Sequence, residues 1–205
     1  KAMELFSKIK YGYHKYTYAA NYYAGYIAWL NQEYDKAIND LLRAGQNEAY
    51  APLIPLMIAN IYYKQSKLEV LIKYAESIVP LETTAIKKAG IKEIDKIILL
   101  LAEAYYKMAN GKWEMENGKQ ETDKWEKAVL YFSRYVEMNK NRFKSPIRNP
   151  QSAILYRLAY CEFRINNFDS STVHFKQLAI NNDSLGQSAA YYLGVCYVKT
   201  GKKQF

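Results

Sequence analysis

Histidine and cysteine, the side chains that most often do chemistry, are rare in this chain. It has two of each, namely His14, His174, Cys161 and Cys196. Neither histidine has a cysteine, an aspartate or the second histidine at zinc-ligand spacing, so we predict no metal site. We expect His14 to lie on a helix face and both cysteines to be small buried apolar side chains.

Motifs for catalysis or nucleotide binding are also missing. The segment KTGKKQ at residues 199–204 lacks the upstream glycine and the preceding strand that a phosphate-binding loop requires. No serine–histidine–aspartate set and no pair of glutamates in a shared cleft can be assembled. The sequence therefore predicts a protein that is not an enzyme and uses no cofactor.

Composition and charge indicate a folded, helical protein and leave the type of its binding partner open. The 205 residues are 50% hydrophobic and 24% charged, as in globular proteins, and 21 tyrosines accompany only 9 glycines and 5 prolines. The longest uncharged stretches are too short and too polar for a membrane span, so none is predicted. A net charge of +9 attracts anionic partners, but single lysines at helical spacing are typical of solvated faces.

The chain repeats itself with a period of 34 to 35 residues. Within each unit apolar residues recur at intervals of three and four residues, which indicates two helices joined by a short turn. We expect a small residue of the first helix, such as Gly25, to allow close approach of two helix axes. Cys161 and Cys196 occupy equivalent positions, so they can also lie near each other. Pairs of equivalent residues include Gly25 and Ala59, Tyr34 and Leu68, Tyr156 and Tyr191, and Ala159 and Gly194.

These units resemble the tetratricopeptide repeat (TPR) family. The likeness is clearest in NYYAGYIAWLNQEYDKAINDLLRA at residues 21–44 and AAYYLGVCYVKTGKKQF at 189–205. Leu71 departs from the family pattern, which has a small residue there. The resemblance implies an all-α fold of about ten helices, a right-handed superhelical α-solenoid of TPR helix-turn-helix repeats.

On this basis residues 1–205 form a single array. We expect both ends to stop inside a repeat, as in a piece of a longer array, and to promote self-association through their uncovered faces. The array divides into partial repeats at 1–15 and 187–205 and full repeats at 16–48, 49–82, 94–140 with an insertion at 110–123, and 151–183.

In this family the first helices line a concave groove, and the resemblance places a binding site there. Aromatic rings beside a row of cations suit an extended, acidic peptide or protein segment. The same residues equally suit packing of tyrosines on the next helix, with cations solvated at helix ends. The predicted groove residues are Tyr22, Tyr26, Trp29, Asn60, Tyr63, Lys64, Tyr106, Lys107, Tyr156, Tyr160, Phe163, Arg164, Tyr191 and Lys199, with Glu103 on the same face.

Two other classes of function stay open. A structural scaffold would dock a large partner through its convex face or its insertion. A single-stranded nucleic-acid binder also interleaves aromatic and basic residues, but here the basic residues do not form one stripe, which disfavours it. Residues 167–183 are similar to bacterial cell-envelope repeat proteins, which implies the periplasm or the outer membrane, although the cytoplasm is not excluded.

Overall fold

The chain is built from ten α-helices and no strand within the residues that the computed structural model describes, which are 2–12, 15–80, 90–111, 118–144 and 150–202. For this described part of the chain, the structure confirms the all-α prediction and agrees with the expected number of about ten helices. The helices are α1 (Ala2–Ile9), α2 (Thr17–Leu30), α3 (Tyr34–Ala44), α4 (Ile54–Lys64), α5 (Leu68–Ile78), α6 (Ile94–Asn110), α7 (Gly118–Met138), α8 (Gln151–Arg164), α9 (Phe168–Leu178) and α10 (Ser184–Thr200), with a 3-10 turn at Lys140–Phe143.

The helices fall into two compact units, residues 1–100 and 101–205, with the boundary inside α6. In the first unit α2 packs against α1 and α3, α3 against α4, and α4 against α5. In the second unit α8 packs against α7, α9 and α10, and α9 packs against α10. Most of the helix pairs that pack together inside each unit are neighbours in sequence.

One turn geometry recurs at the ends of four helices. In each case one residue adopts the left-handed conformation, seven positions after the small residue of its helix. The backbone N–H of the following residue donates to the carbonyl five residues before it, over 2.8–3.1 Å. This is the six-to-one bond that closes many helix C-termini. The left-handed residues and their φ angles are Gln32 at 63°, Ser66 at 56°, Asn166 at 61° and Gly201 at 67°.

The small residue of the first helix has a steric role in the α2–α3 hairpin. A Cβ atom on Gly25 would lie 2.9 Å from Cγ of Leu41 and 3.1 Å from the carbonyl oxygen of Ala37. The equivalent Gly194 of α10 is exposed, and no described atom beyond its own helix turn lies within 4 Å of the corresponding position. The predicted close approach thus occurs at Gly25 and not at Gly194.

Two helix starts lie earlier than the predicted repeat boundaries. Helix α7 begins at Gly118, inside the predicted insertion at 110–123, of which residues 112–117 lie outside the described part of the chain. Helix α10 begins at Ser184, because the side chain of Asp183 accepts the N–H of Gly186 at 2.7 Å and caps the helix there. None of the described helices is both long enough and apolar enough to span a membrane.

Candidate functional site

A connected set of aromatic rings, here called the ring cluster, joins all five helices of the second unit. Neighbouring ring centroids are 5.2–6.5 Å apart, mostly in edge-to-face geometry, the arrangement that aromatic quadrupoles favour. The cluster contains Tyr106, Trp125, Phe132, Tyr156, Tyr160, Phe163, Phe168, Phe175, Tyr191 and Tyr192.

Tyr160 of α8 lies at the centre of the ring cluster. Its centroid is 5.8 Å from that of Trp125 on α7 and 5.4 Å from that of Tyr192 on α10. The rings of Tyr106 and Phe163 each lie 6.5 Å away. Because Tyr160 is only half-buried, one part of its ring holds helices together while another part faces solvent.

Arg164, the last residue of α8, lies on the ring cluster. The Cζ atom of its guanidinium is 4.7 Å from the Trp125 centroid and 5.9 Å from the Tyr160 centroid. Nη1 of Arg164 also donates to the Tyr160 hydroxyl at 3.4 Å. The side chain is exposed, so an oriented positive charge lies where the cluster meets solvent, beside the buried Trp125 and the half-buried Tyr160.

A second cation reaches the cluster but is already paired. Arg157 lies with its Cζ atom 5.9 Å from the Tyr106 centroid, and its Nη1 donates to the Glu103 carboxylate. Burial raises the pKa of Glu103, while Arg157 and, less strongly, Lys107 oppose that rise. Glu103, the one acidic residue of the predicted face, thus belongs to an ion pair between α6 and α8.

Three tyrosine hydroxyls of the cluster, those of Tyr106, Tyr156 and Tyr192, stay neutral far above neutral pH. Burial raises the pKa of Tyr156 to about 12, and burial likewise raises the pKa values of Tyr106 and Tyr192. The hydroxyls can therefore donate or accept hydrogen bonds without adding negative charge. The solvent-facing part of the ring cluster therefore combines apolar rings, neutral hydroxyls and the positive charge of Arg164.

The predicted groove residues of the first unit lie on α2 and α4. Tyr22 and Trp29 pack against the core of the unit, and the Tyr26 and Trp29 centroids are 5.8 Å apart. Asn60 donates to the backbone carbonyl of Leu56 at 2.8 Å, so its amide N–H group is engaged within its own helix. Tyr63 is half-buried and Lys64 is exposed. On α2, Tyr22 and Trp29 therefore serve the core, whereas Tyr26 is 41% exposed.

In the second unit the structure brings six predicted residues to one region and adds others. Tyr106, Tyr156, Tyr160, Phe163, Arg164 and Tyr191 all belong to the ring cluster or touch it, whereas Lys107 and Lys199 are exposed on α6 and α10.

Five rings of the cluster were not predicted as site residues, namely Trp125, Phe132, Phe168, Phe175 and Tyr192. The period of 35 aligned Tyr156 with Tyr191 and so favoured Tyr191, but Tyr192 is the residue whose ring meets Tyr160 and Phe175. Ala189 and Cys196, three residues before and four residues after Tyr192, are fully buried, so Tyr192 lies on the buried face of α10.

Both cysteines are free and buried, as expected for small apolar residues. Cys196 Sγ lies 3.6 Å from Ser171 Oγ, and burial raises the pKa of the Cys161 thiol well above its usual range. His174 Nδ1 lies 2.8 Å from Glu162 Oε2, whereas His14 lies outside the described residues. Among the described residues, no three histidine, cysteine, aspartate or glutamate side chains are grouped so that they could hold a metal ion.

No protein-family model matches this chain, and no curated protein matches it at a significant level of similarity. The function must therefore be argued from the chemistry of the ring cluster itself, and the TPR likeness stays a prediction from the sequence.

Proposed function

We propose that the chain is a non-catalytic protein–protein interaction module, a TPR-type helical solenoid, whose ring cluster binds an extended, acidic protein segment. The observation that carries this proposal is the position of Arg164, whose guanidinium lies over Trp125 and Tyr160 at the exposed edge of the cluster.

The recurring turn supports the repeat part of the proposal. Four helix ends share a left-handed residue at the same distance from the small residue of the helix, although the four residues are chemically different. Such agreement in backbone geometry is typical of repeats in which each unit packs on its neighbours. In a solenoid of this type the first helix of every repeat would lie on one side, where half-buried rings would line a groove.

The physical chemistry of the surface supports the binding part. Tyrosine, tryptophan and phenylalanine offer large contact areas with few rotatable bonds, so little conformational entropy is lost when they are covered. The ring cluster is held by contacts among five helices and is therefore ordered before any partner arrives. Arg164 selects acidic side chains and speeds the encounter with the partner. Lys107, which directly follows Tyr106, adds a second positive charge. An affinity near ~1 μM, about −8 kcal/mol, is ordinary for such a site.

The proposal is tested with a fluorescein-labelled peptide rich in aspartate and glutamate, compared with the same peptide carrying asparagine and glutamine. We expect the acidic peptide to bind more tightly. Tyr160→Ala and Phe163→Ala should each weaken its binding by about 2 kcal/mol or more. Lys107→Gln should change mainly the salt dependence of the affinity.

Val173→Ala is the matched control, because Val173 is exposed on α9 and outside the ring cluster. It should leave the affinity unchanged, and circular dichroism should show that all variants keep their helices. Unchanged binding in both aromatic variants, together with loss of binding when residues 111–123 are deleted, would overturn the proposal and favour a scaffold that docks through the insertion.

A further inference from the structure

The first unit contains a polar cleft between the end of α1 and the outer side of α3. Its volume is about 580 Å³, within the range of sites for small molecules. Lys10 and Tyr11 line it from one side and Lys36, Asn39, Asp40 and Arg43 from the other. It shares no residue with the predicted groove or with the ring cluster. We refer to it as the α1–α3 cleft.

A buried ion pair lies at the base of this cleft. The Lys10 ammonium donates to both carboxylate oxygens of Asp40, at 2.8 and 2.7 Å. Lys10 is 4% exposed and Asp40 is 3% exposed, so both charges are shielded from water. Two of the three N–H donors of the ammonium serve Asp40, which leaves one for another acceptor. The pair is neutral as a whole, so Asp40 adds no net negative charge to the cleft.

Two further cations give the cleft an excess of positive charge. The Cζ atom of Arg43 lies 5.0 Å from the Tyr11 centroid, so the ring holds the guanidinium at the cleft wall. Lys36 pairs with Glu33 at 2.8 Å, but both side chains of that pair are 44% exposed. Such exposed pairs are weak and exchange readily with a better anion. Since Lys10 and Asp40 cancel, Lys36 and Arg43 leave the lining with two positive charges.

We propose that the α1–α3 cleft binds the phosphate group of a small phosphomonoester. Such a group carries about −1.5 to −2 charges at neutral pH, which matches the two cations of the lining. The planar guanidinium of Arg43 can donate two parallel hydrogen bonds to phosphate oxygens, and Lys36 adds a compact charge. The cleft is larger than a bare phosphate, and the amide of Asn39 offers hydrogen bonds to a polar organic remainder.

Isothermal titration calorimetry with O-phosphoserine as the probe tests this inference, with serine as the control ligand. We expect saturable one-to-one binding of O-phosphoserine and none of serine. Lys36→Gln should weaken binding about tenfold, the effect of losing one charge-assisted hydrogen bond, and Arg43→Gln at least about tenfold, because two such bonds are lost. A neutral peptide that contains one phosphoserine is a second arm. Tighter binding of that peptide, with the same loss in Arg43→Gln, would support the phosphate site and identify a phosphorylated protein as its source.

Arg134→Gln is the matched control variant. Arg134 lies on α7 with its Cζ atom 6.0 Å from the Tyr131 centroid, an arrangement like that of Arg43 and Tyr11. This substitution should leave O-phosphoserine affinity unchanged. The inference is overturned by an absence of saturable binding, by binding that survives both cleft substitutions, or by an equal loss in Arg134→Gln. None of these outcomes depends on the ring cluster, so the proposed function is tested separately.

Discussion

In the α8–α9 hairpin Glu162 meets His174, twelve residues later, whereas in the α2–α3 hairpin the residues at those two positions are Ala28 and Asp40. Alanine offers no partner, and Asp40 binds Lys10 of the chain segment that follows α1 instead. The same positions hold Tyr62 with Tyr74 in the α4–α5 hairpin and Tyr105 with Tyr131 between α6 and α7, with centroids 5.8 Å apart in both cases.

The comparison shows that this paired position requires two side chains that complement each other, rather than a particular residue type. It is largely enclosed in each hairpin, so a polar group there must have a partner while a ring may simply pack on another ring. Where the first helix supplies a glutamate or tyrosine, the contact stays within the hairpin. Where it supplies Ala28, Asp40 instead contacts Lys10, just after the end of α1, and the α1–α3 cleft lies beside this pair.

Asp40→Ala should have the largest effect on stability. It leaves the Lys10 ammonium buried without a counter-ion, which costs about 3–5 kcal/mol of the free energy of unfolding. Chemical denaturation measures the loss. Asp169→Ala is the control, because Asp169 pairs with Lys202 at the exposed surface and should cost less than about 1 kcal/mol. Equal losses in the two variants would show that Lys10 escapes to water and that the pair is not essential.

Gly25→Ala comes next in size. The added methyl group would lie 2.9 Å from Leu41 Cγ, and the backbone carbonyl of Ala37 at 3.1 Å leaves little room for adjustment. We expect a loss of about 1–3 kcal/mol, as for other overpacked cores. A melting experiment that shows no loss would mean that α2 and α3 can separate more easily than their packing indicates.

Gly194→Ala should have the opposite sign. The equivalent position on α10 has no described neighbour within 4 Å, so a methyl group meets no resistance there. Replacing glycine by alanine at an exposed position inside a helix stabilises the protein by about 1 kcal/mol or less. Destabilisation in the same melting experiment would show that Gly194 is covered in solution, for example by self-association of the chain.

Stability should also fall in alkaline solution. Burial raises the pKa of Tyr74 to about 12, and that of Tyr156 likewise to about 12, above the ordinary value of 10.0. A raised pKa means that folding favours the neutral hydroxyl, so this stabilisation is complete below pH 10 and is lost as the pH rises towards 12.

Tyr156→Phe and Tyr74→Phe should each reduce the alkaline loss of stability, because phenylalanine has no proton to lose. Denaturant midpoints measured at neutral pH and through the alkaline range compare the variants with the original chain. Parallel curves for all three proteins would contradict the assignment to these two hydroxyls.

Spacing along the chain predicted the elements of the fold better than the contacts between them. Apolar residues at intervals of three and four predicted the helices, because one face of each must be buried, and the period near 34 predicted the hairpins. The contact between Glu162 and His174 inside one hairpin was not predicted. The Lys10–Asp40 pair could not be predicted in this way, since its members are 30 residues apart and outside any one hairpin. The inward orientation of Tyr192 likewise depends on how α10 packs on α8, which adjacent tyrosines in the sequence do not reveal.

A double-mutant cycle on the ring cluster tests the central claim, that Arg164 recognises acidic groups on a bound segment. Binding of the acidic probe peptide and of its glutamine-substituted form is measured for the original chain and for Arg164→Gln. Arg142→Gln, which removes a charge from the exposed 3-10 turn, is the control. We predict a coupling energy of about 1 kcal/mol between Arg164 and the peptide carboxylates, decreasing with salt, and none for Arg142. Strictly additive effects of Arg164→Gln and of peptide neutralisation would contradict the claim.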